Sequence, residues 1–263
     1  MHIFMTNDDG IGAIGLQRLA RELAKHIGRV TIVAPDRERS SCSSALTLRE
    51  RLYLKEQFPG VANLTAYSFT GTPADCAKFG LGYLLADDPP DLVVSGMNNG
   101  YNSGSDVIYS GTVAGALEGH LQKIPSLAVS GTHMDVAFLE RAVPFVREFI
   151  RTVFVDGRFD GLLNLNIPDI PDIGWERMKV CRVGQQHYRN VISPLLDEEG
   201  QIYYHVAGEY ITTGEPDTDV HWLHQGYVTI VPLQWETTAT NRLPEIKKII
   251  EKTTRSVDSP GEI

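Results

Sequence analysis

Hydrophobic and polar positions along this chain fall into two periods, and the first change of period comes at once. His2-Ile3-Phe4-Met5-Thr6 is an apolar run of strand character that stops in Asn7-Asp8-Asp9-Gly10. Leu16, Leu19, Ala20, Leu23 and Ile27 then recur at helical spacing, with Arg18, Arg21, Glu22 and Lys25 on the other face. Gly28 ends that helix, and Val30-Thr31-Ile32-Val33-Ala34 reads as a second strand. The unit is βαβ, which predicts parallel strands and a right-handed crossover. Alternation continues at 46–54 and 64–69, and a helix follows from Pro73 to about Ala86. A buried strand at 91–96, a helix of small residues at 113–119, a strand at 126–130, a helix at 137–155 and a strand at 162–168 complete the alternation. From about Trp175 the pattern changes. Strands at 178–183, 202–206 and 226–231 and a terminal helix at 243–250 come without alternating helices.

The elements predict an α/β core over 1–174 and a β-rich extension with a terminal arm over 175–263, packed on the core and serving self-association. Composition narrows the setting. The 263 residues are 42% apolar and 22% charged, with a formal net charge of −9. That balance offers no general basic field to a polymeric nucleic acid. No apolar run reaches the length of a membrane span. The first strand begins within two residues of the start, which leaves no room for a signal peptide. Cys42, Cys76 and Cys181 are odd in number and widely spaced, so they form neither a disulfide framework nor a zinc pattern. A reducing cytoplasm is the expected location.

The candidate chemistry lies where strands end. Ligands of open α/β sheets bind outside the carboxyl ends of the strands. Asp8 and Asp9 stand at such an end, and adjacent carboxylates repel unless a cation lies by them. Mg²⁺ and Mn²⁺ take oxygen ligands of this kind. The competing reading is a turn or helix cap, since Asp-Gly is also a turn signal. Gly10, Gly12 and Gly15 do not match a dinucleotide fingerprint, and the carboxylates would repel a pyrophosphate. The second strand runs into Pro35-Asp36-Arg37-Glu38-Arg39-Ser40-Ser41, either a polar surface loop or a source of hydroxyls and arginines at the same sheet edge. Thr72-Pro73-Ala74-Asp75 is accounted for as a well-made helix start. The strand at 91–96 opens into a glycine- and asparagine-rich loop that includes Asn98 and Asp106 and leads to Ser110-Gly111-Thr112. Backbone N–H groups, hydroxyls and the positive end of a helix dipole converge there, which makes a phosphate seat or an ordinary cap.

The residues also carry a resemblance. Thr6-Asn7-Asp8-Asp9-Gly10, Ala34-Pro35-Asp36-Arg37-Glu38-Arg39-Ser40, Gly71-Thr72-Pro73-Ala74-Asp75-Cys76, Ser95-Gly96-Met97-Asn98-Asn99-Gly100 and Tyr109-Ser110-Gly111-Thr112-Val113 follow one another as in the survival protein SurE family. Gly200-Gln201-Ile202-Tyr203-Tyr204 and Gly226-Tyr227-Val228-Thr229-Ile230 extend the likeness over essentially the whole chain. The resemblance implies a metal-dependent phosphatase acting on nucleoside 5′- and also 3′-monophosphates. It implies a Rossmann-like, mostly parallel sheet with helices on both faces, a C-terminal β-hairpin and an exchanged arm, assembled as a homodimer or homotetramer. It places one divalent cation per subunit, Mg²⁺ or Mn²⁺, on Asp8, Asp9, Ser40 and Asn98. Asp8 and Asp9 are then also the catalytic candidates. Asn98, Ser110, Gly111 and Thr112 would hold the phosphate, with Asn7 and Asp106 as supporting residues behind them. Two departures stand out: Ser41 where the family often has glycine, and His205 where tryptophan is usual.

A function of another class is a metal- and nucleotide-binding sensor with little turnover, and a further enzyme class is a broad phosphatase that also cleaves short polyphosphate. A haloacid-dehalogenase-like phosphatase does not fit, because its carboxylates alternate with another residue whereas Asp8 and Asp9 are adjacent.

Overall fold

The computed structural model describes residues 1–58, 60–189, 192–206, 208–211 and 214–257. Strand β1 (His2–Thr6), helix α1 (Ile14–His26) and strand β2 (Arg29–Pro35) form the opening unit, and β1 and β2 are parallel. Strands β3 (Leu54–Gln57) and β4 (Leu64–Phe69) precede α2 (Pro73–Phe79). Strand β5 (Leu92–Asn99), helix α3 (Gly111–Leu121), strand β6 (Ser126–Gly131), helix α4 (Val136–Ile150) and strand β7 (Leu162–Ile167) continue the alternation. Short strands follow: β8 (Met178–Val180), β9 (Tyr188–Arg189), β10 (Ile192–Leu196), β11 (Ile202–Val206) and β12 (Glu209–Tyr210). Helix α5 (Asp219–His224), strand β13 (Val228–Leu233) and helix α6 (Leu243–Val257) end the described chain.

The main sheet has the order β3-β4-β2-β1-β5-β6-β7-β13-β8. Its centre is parallel from β4 to β7, and β3 and β13 pair antiparallel to their neighbours β4 and β7. Strand β1 therefore lies between β2 and β5 with its carboxyl end in the middle of the ligand edge. Its side chains alternate between two cores, as a strand's period of two requires. Ile3 and Met5 pack with Leu16, Leu19 and Leu23 of α1 and Phe138 and Phe149 of α4. Phe4 packs on the other face with Val33, Val93 and Cys76 and Ala77 of α2. Coverage of both faces explains why these strands read as apolar runs.

A buried polar joint holds the loop after β5. Asn102 donates through its backbone N–H to Asn166 Oδ1 at 2.9 Å and through Nδ2 to Ser130 Oγ at 2.8 Å. Its carbonyl accepts from Asn164 Nδ2 at 2.7 Å and Asn166 Nδ2 at 3.0 Å. Each such bond contributes on the order of 1 kcal/mol net, whereas a broken one strands a buried polar group at about 1–3 kcal/mol. The loop is thus fixed to the ends of β6 and β7.

Two expectations shift. No strand forms over residues 46–53. The Thr47 N–H goes to the Asp75 carboxylate, Leu48 is left exposed, and the edge strand begins at Leu54. The stretch after residue 174 is divided in use. Strands β8 and β13 join the main sheet, while β10 and β11 form a hairpin in which His205 faces Ser193. Contacts group Met1–Leu233 into one compact unit and Gln234–Ile263 into another. Among the described residues no helix is long and apolar enough to cross a membrane.

The start of α2 yields a prediction. Thr72 accepts from the Asp75 N–H, and the Asp75 carboxylate accepts from the Thr72 N–H at 2.9 Å and the Thr47 N–H at 3.0 Å. Burial raises the Asp75 pKa, but these bonds outweigh it and the net shift is downward. A folded value below the unfolded one stabilises the fold above the ordinary carboxylate range, and this stability is lost as the pH falls through the folded value. Asp75→Asn is expected to cost about 1–2 kcal/mol at pH 7. Urea midpoints at falling pH should show the gap to wild type narrowing below about pH 4; a gap independent of pH would contradict this.

Candidate active site

Strand β1 delivers Asn7, Asp8 and Asp9 to the sheet edge because its apolar run ends there. Gly10 makes the turn possible. Its φ is +91°, and a Cβ would lie 3.0 Å from the Arg37 carbonyl carbon. Asn7 is fully buried and donates through Nδ2 to the Gly10 carbonyl at 3.0 Å; its Oδ1 has no partner among the described residues. The Asp8 carbonyl accepts from the Arg39 N–H at 2.7 Å, which fastens the loop after β2 to the end of β1. The Asp9 carboxylate accepts from the Asn99 N–H at 3.0 Å, which fastens the end of β5 to the same point.

Helix α3 closes the arrangement. The Thr112 hydroxyl donates to Asp8 Oδ1 at 2.5 Å, a bond spanning 104 residues. Gly111 comes so near that a Cβ would lie 2.9 Å from Asp8 Cβ and 3.1 Å from Cys42 Sγ. Ser110 Oγ accepts from the Val113 N–H at 3.0 Å and so serves as the N-cap. Of the expected phosphate-holding set, two hydroxyls are therefore engaged within the protein, and the backbone N–H groups of the first turn are what α3 offers an anion.

The remaining expected residues are distributed as follows. Ser40 directly follows Arg39 on the fastened loop, is exposed, and donates to Glu38 Oε1 at 2.6 Å. Ser41 beside it has a φ of +56°, the left-handed region that suits glycine and costs another residue about 1–2 kcal/mol. This gives the family's frequent glycine a backbone reason. Asn98, half-buried at the end of β5, donates through Nδ2 to the Gly100 carbonyl at 2.8 Å, which leaves Oδ1 as its acceptor. Asp106 sits four residues before Ser110 and bonds the Tyr188 hydroxyl. Glu38, Cys42 and Asn99 also lie here; Glu38 and Asn99 stand inside the motifs of the resemblance, but nothing in their residue types pointed to these contacts.

Electrostatics fit a cation. Burial pushes Asp8 above its ordinary value, opposed by the Thr112 hydrogen bond. Burial pushes Asp9 up to about 6, with the Asn99 bond opposing and the Asp8 and Glu38 charges adding to the rise. Asp8, Asp9, Ser40 and Asn98 supply carboxylate, hydroxyl and amide oxygens only, the donor set of a hard cation such as Mg²⁺ or Mn²⁺. Among the described residues no group of three or more His, Cys, Asp or Glu side chains gathers so as to hold a metal ion, so the amide and hydroxyl oxygens would have to complete any such set.

The fold defines an open, Rossmann-like α/β protein, a class whose ligands bind at the carboxyl edge of the central strands. Comparison with known proteins makes this specific. The family model described as Survival protein SurE matches residues 3–190, and the chain belongs to the SurE family. It is 43% identical over 241 residues to the 5′-nucleotidase SurE of Moorella thermoacetica, covering 90% of this chain and 92% of that one. It is 38% identical over 262 residues to the 5′-nucleotidase SurE of Clostridium beijerinckii, covering 96% and 100%. The crystal structure of the SurE protein from Aquifex aeolicus superposes with a TM-score of 0.78 at 34% identity, covering 95% of this chain and 100% of that one.

The raised Asp9 value sets a prediction for the metal-free protein. A folded pKa of about 6 lies above the unfolded value, so ionising Asp9 costs stability above that pH, and the cost fades as the pH falls below it. Asp9→Asn is expected to raise stability at pH 8 by roughly 1 kcal/mol, allowing for solvent screening, and to give no gain at pH 4. Urea denaturation in the presence of a chelator measures it. An unchanged or lower midpoint at pH 8 would oppose this account.

Proposed function

We propose that this chain is a divalent-metal-dependent phosphatase that hydrolyses nucleoside 5′-monophosphates to nucleoside and phosphate. The observation that carries the reading is the contact of the α3 start with the carboxylate pair. Thr112 bonds Asp8, and Gly111 lies against it without a side chain between them. A phosphoryl group needs both neighbours at once, donors for its oxygens and a place for a cation. The activity for which the relatives are named, 5′-nucleotidase, agrees with this.

In this reading Asp8, Asp9, Ser40 and Asn98 hold one Mg²⁺ or Mn²⁺ per subunit. When bound, it neutralises the pair and polarises a phosphoryl oxygen. The N–H groups of Gly111 and Thr112 hold other phosphoryl oxygens and stabilise charge as it shifts in the transfer. Water attacks phosphorus in line, its proton goes to an aspartate carboxylate, and the bond from phosphorus to the nucleoside oxygen breaks; that oxygen takes up a proton, from the protonated aspartate or from solvent, and leaves as the nucleoside hydroxyl. Asp9 suits the proton better, since it is less buried than Asp8 and no side chain hydroxyl is committed to it. Asp8, 5% exposed and held by Thr112, is the positioned ligand, which makes direct attack by its carboxylate the weaker route. Free thiols at Cys42, Cys76 and Cys181 fit a cytoplasmic setting.

Phosphate release from adenosine 5′-monophosphate with Mn²⁺ tests this. Asp8→Asn and Asp9→Asn are each expected to remove most activity in a protein that circular dichroism shows to be folded. Thr112→Val, nearly isosteric, should lower kcat/KM roughly ten- to 150-fold, as expected for a hydrogen bond to a charged group worth about 1.5–3 kcal/mol. Cation and nucleotide binding without phosphate release in wild type would favour a sensor instead.

The second unit is read as an arm for self-association into a dimer or tetramer. Helix α6 is amphipathic, and Leu243 and Ile246 on it are exposed in the single chain. Truncation after Leu233 keeps β13 and removes the arm. Light scattering should then report a smaller assembly than the full chain forms; equal masses would refute the role.

A further inference from the structure

A cavity of about 340 Å³ opens beside the loop that leads into α3. Its size falls within the range of small-molecule sites, roughly 300–1,000 Å³. Tyr101 and Asp106 line it from that loop, Gln186 and Tyr188 from the segment around β9, and Val220 and Leu223 from α5. These walls are built, not incidental. The Asp219 carboxylate is fully buried and accepts from the N–H groups of Gly104 at 2.8 Å, Gly184 at 2.7 Å and Val220 at 2.8 Å. One side chain thus pins the three segments that surround the cavity. Gln186 Nε2 donates to Ser103 Oγ at 2.8 Å, and the Tyr188 hydroxyl reaches both Asp106 and Gln186.

The cavity also adjoins the candidate site. Asp106 precedes Ser110 by four residues, at most about 13 Å of extended chain and about 8 Å if helical. The same short segment is tied to the loop of Ser40, since Ser43 bonds the carbonyls of Ile108 and Tyr109. A phosphate at Gly111 and a group in the cavity can therefore belong to one small molecule.

Charge says which kind. Among the described residues that line the cavity none is Lys or Arg; one basic side chain, His224, and one acidic, Asp106, balance each other. A neutral, flat, hydrogen-bonding group suits it. Two tyrosines bring aromatic rings, Val220 and Leu223 bring an apolar wall, and an ionised carboxylate accepts more than one hydrogen bond from hydroxyl or amine donors. We propose that this cavity receives the nucleoside of the substrate, with Tyr188 and Asp106 as specificity-determining residues and Asp219 as the positioning residue that shapes the wall.

The inference rests on the phosphatase reading, and its test separates the two. Adenosine, which lacks phosphate, is titrated calorimetrically into wild type, Tyr188→Ala and Leu223→Trp. Values of kcat/KM are compared for adenosine 5′-monophosphate and glycerol 2-phosphate with Mn²⁺ supplied. Tyr188 is exposed, so its truncation spares the core, and circular dichroism checks the fold of Leu223→Trp. In both variants adenosine affinity is expected to fall at least tenfold, as is the ratio of nucleotide to glycerol phosphate kcat/KM, through KM. Unchanged adenosine affinity and an unchanged ratio in the folded variants would overturn the assignment. If wild type releases phosphate from neither ester, the phosphatase reading falls, and the adenosine titration still decides what the cavity binds.

Discussion

Burying two adjacent carboxylates at the end of a central strand is unfavourable, and much of the carboxyl edge is organised by that cost. Desolvation pushes both Asp8 and Asp9 toward the neutral form, the Glu38 charge adds to it in both, and the Asp8 charge adds to it in Asp9. The fold answers with donors rather than with a lysine or arginine. Thr112 reaches one carboxylate from α3, and the Asn99 N–H reaches the other from β5. The Arg39 N–H takes the carbonyl between them and brings the loop after β2 into place. These bonds fix the pair without neutralising it.

The same constraint explains the small residues nearby. Gly111 carries no Cβ because Asp8 occupies that space, and Gly115 one turn on lies where a Cβ would meet Thr6 Cγ2 at 2.6 Å. Helix α3 is therefore packed on the strand ends along its first turns. The glycines that read in sequence as a close-packing helix are the means by which the helix start reaches the carboxylates.

Much of the fold was legible because its signals are local. The 2- and 3.6-residue periods located the parallel strands and their helices, and the abrupt polar ends of β1, β2 and β5 pointed to the ligand edge. What was not legible depends on distant pairings. Nothing around residue 230 announces that β13 inserts between β7 and β8, since an apolar strand looks the same wherever it docks. The alternation at 46–54 looked like pairing, but a side chain 28 residues away takes the Thr47 N–H. At the site, Ser110 and Thr112 were legible as hydroxyls at a helix start. That one would cap and the other bind Asp8 follows only from how α3 sits on β1. Tyr188 and Asp219 gave no signal at all, because their neighbours lie 82 and 115 residues away.

That last separation has a consequence on the ribosome. The carboxylate pair is made about 210 residues before Asp219 and β13, which are among the last parts of the compact unit to emerge. At about 5–20 residues per second, synthesis of the intervening chain occupies on the order of tens of seconds. In its last part, once β7 has been made, β7 has an open edge where β13 will pair, and the Gly104 and Gly184 N–H groups lack the carboxylate that joins them. An open edge is a template for pairing with another chain. The nascent protein is therefore most exposed to misassembly late in translation, when nearly all of its sheet is already present.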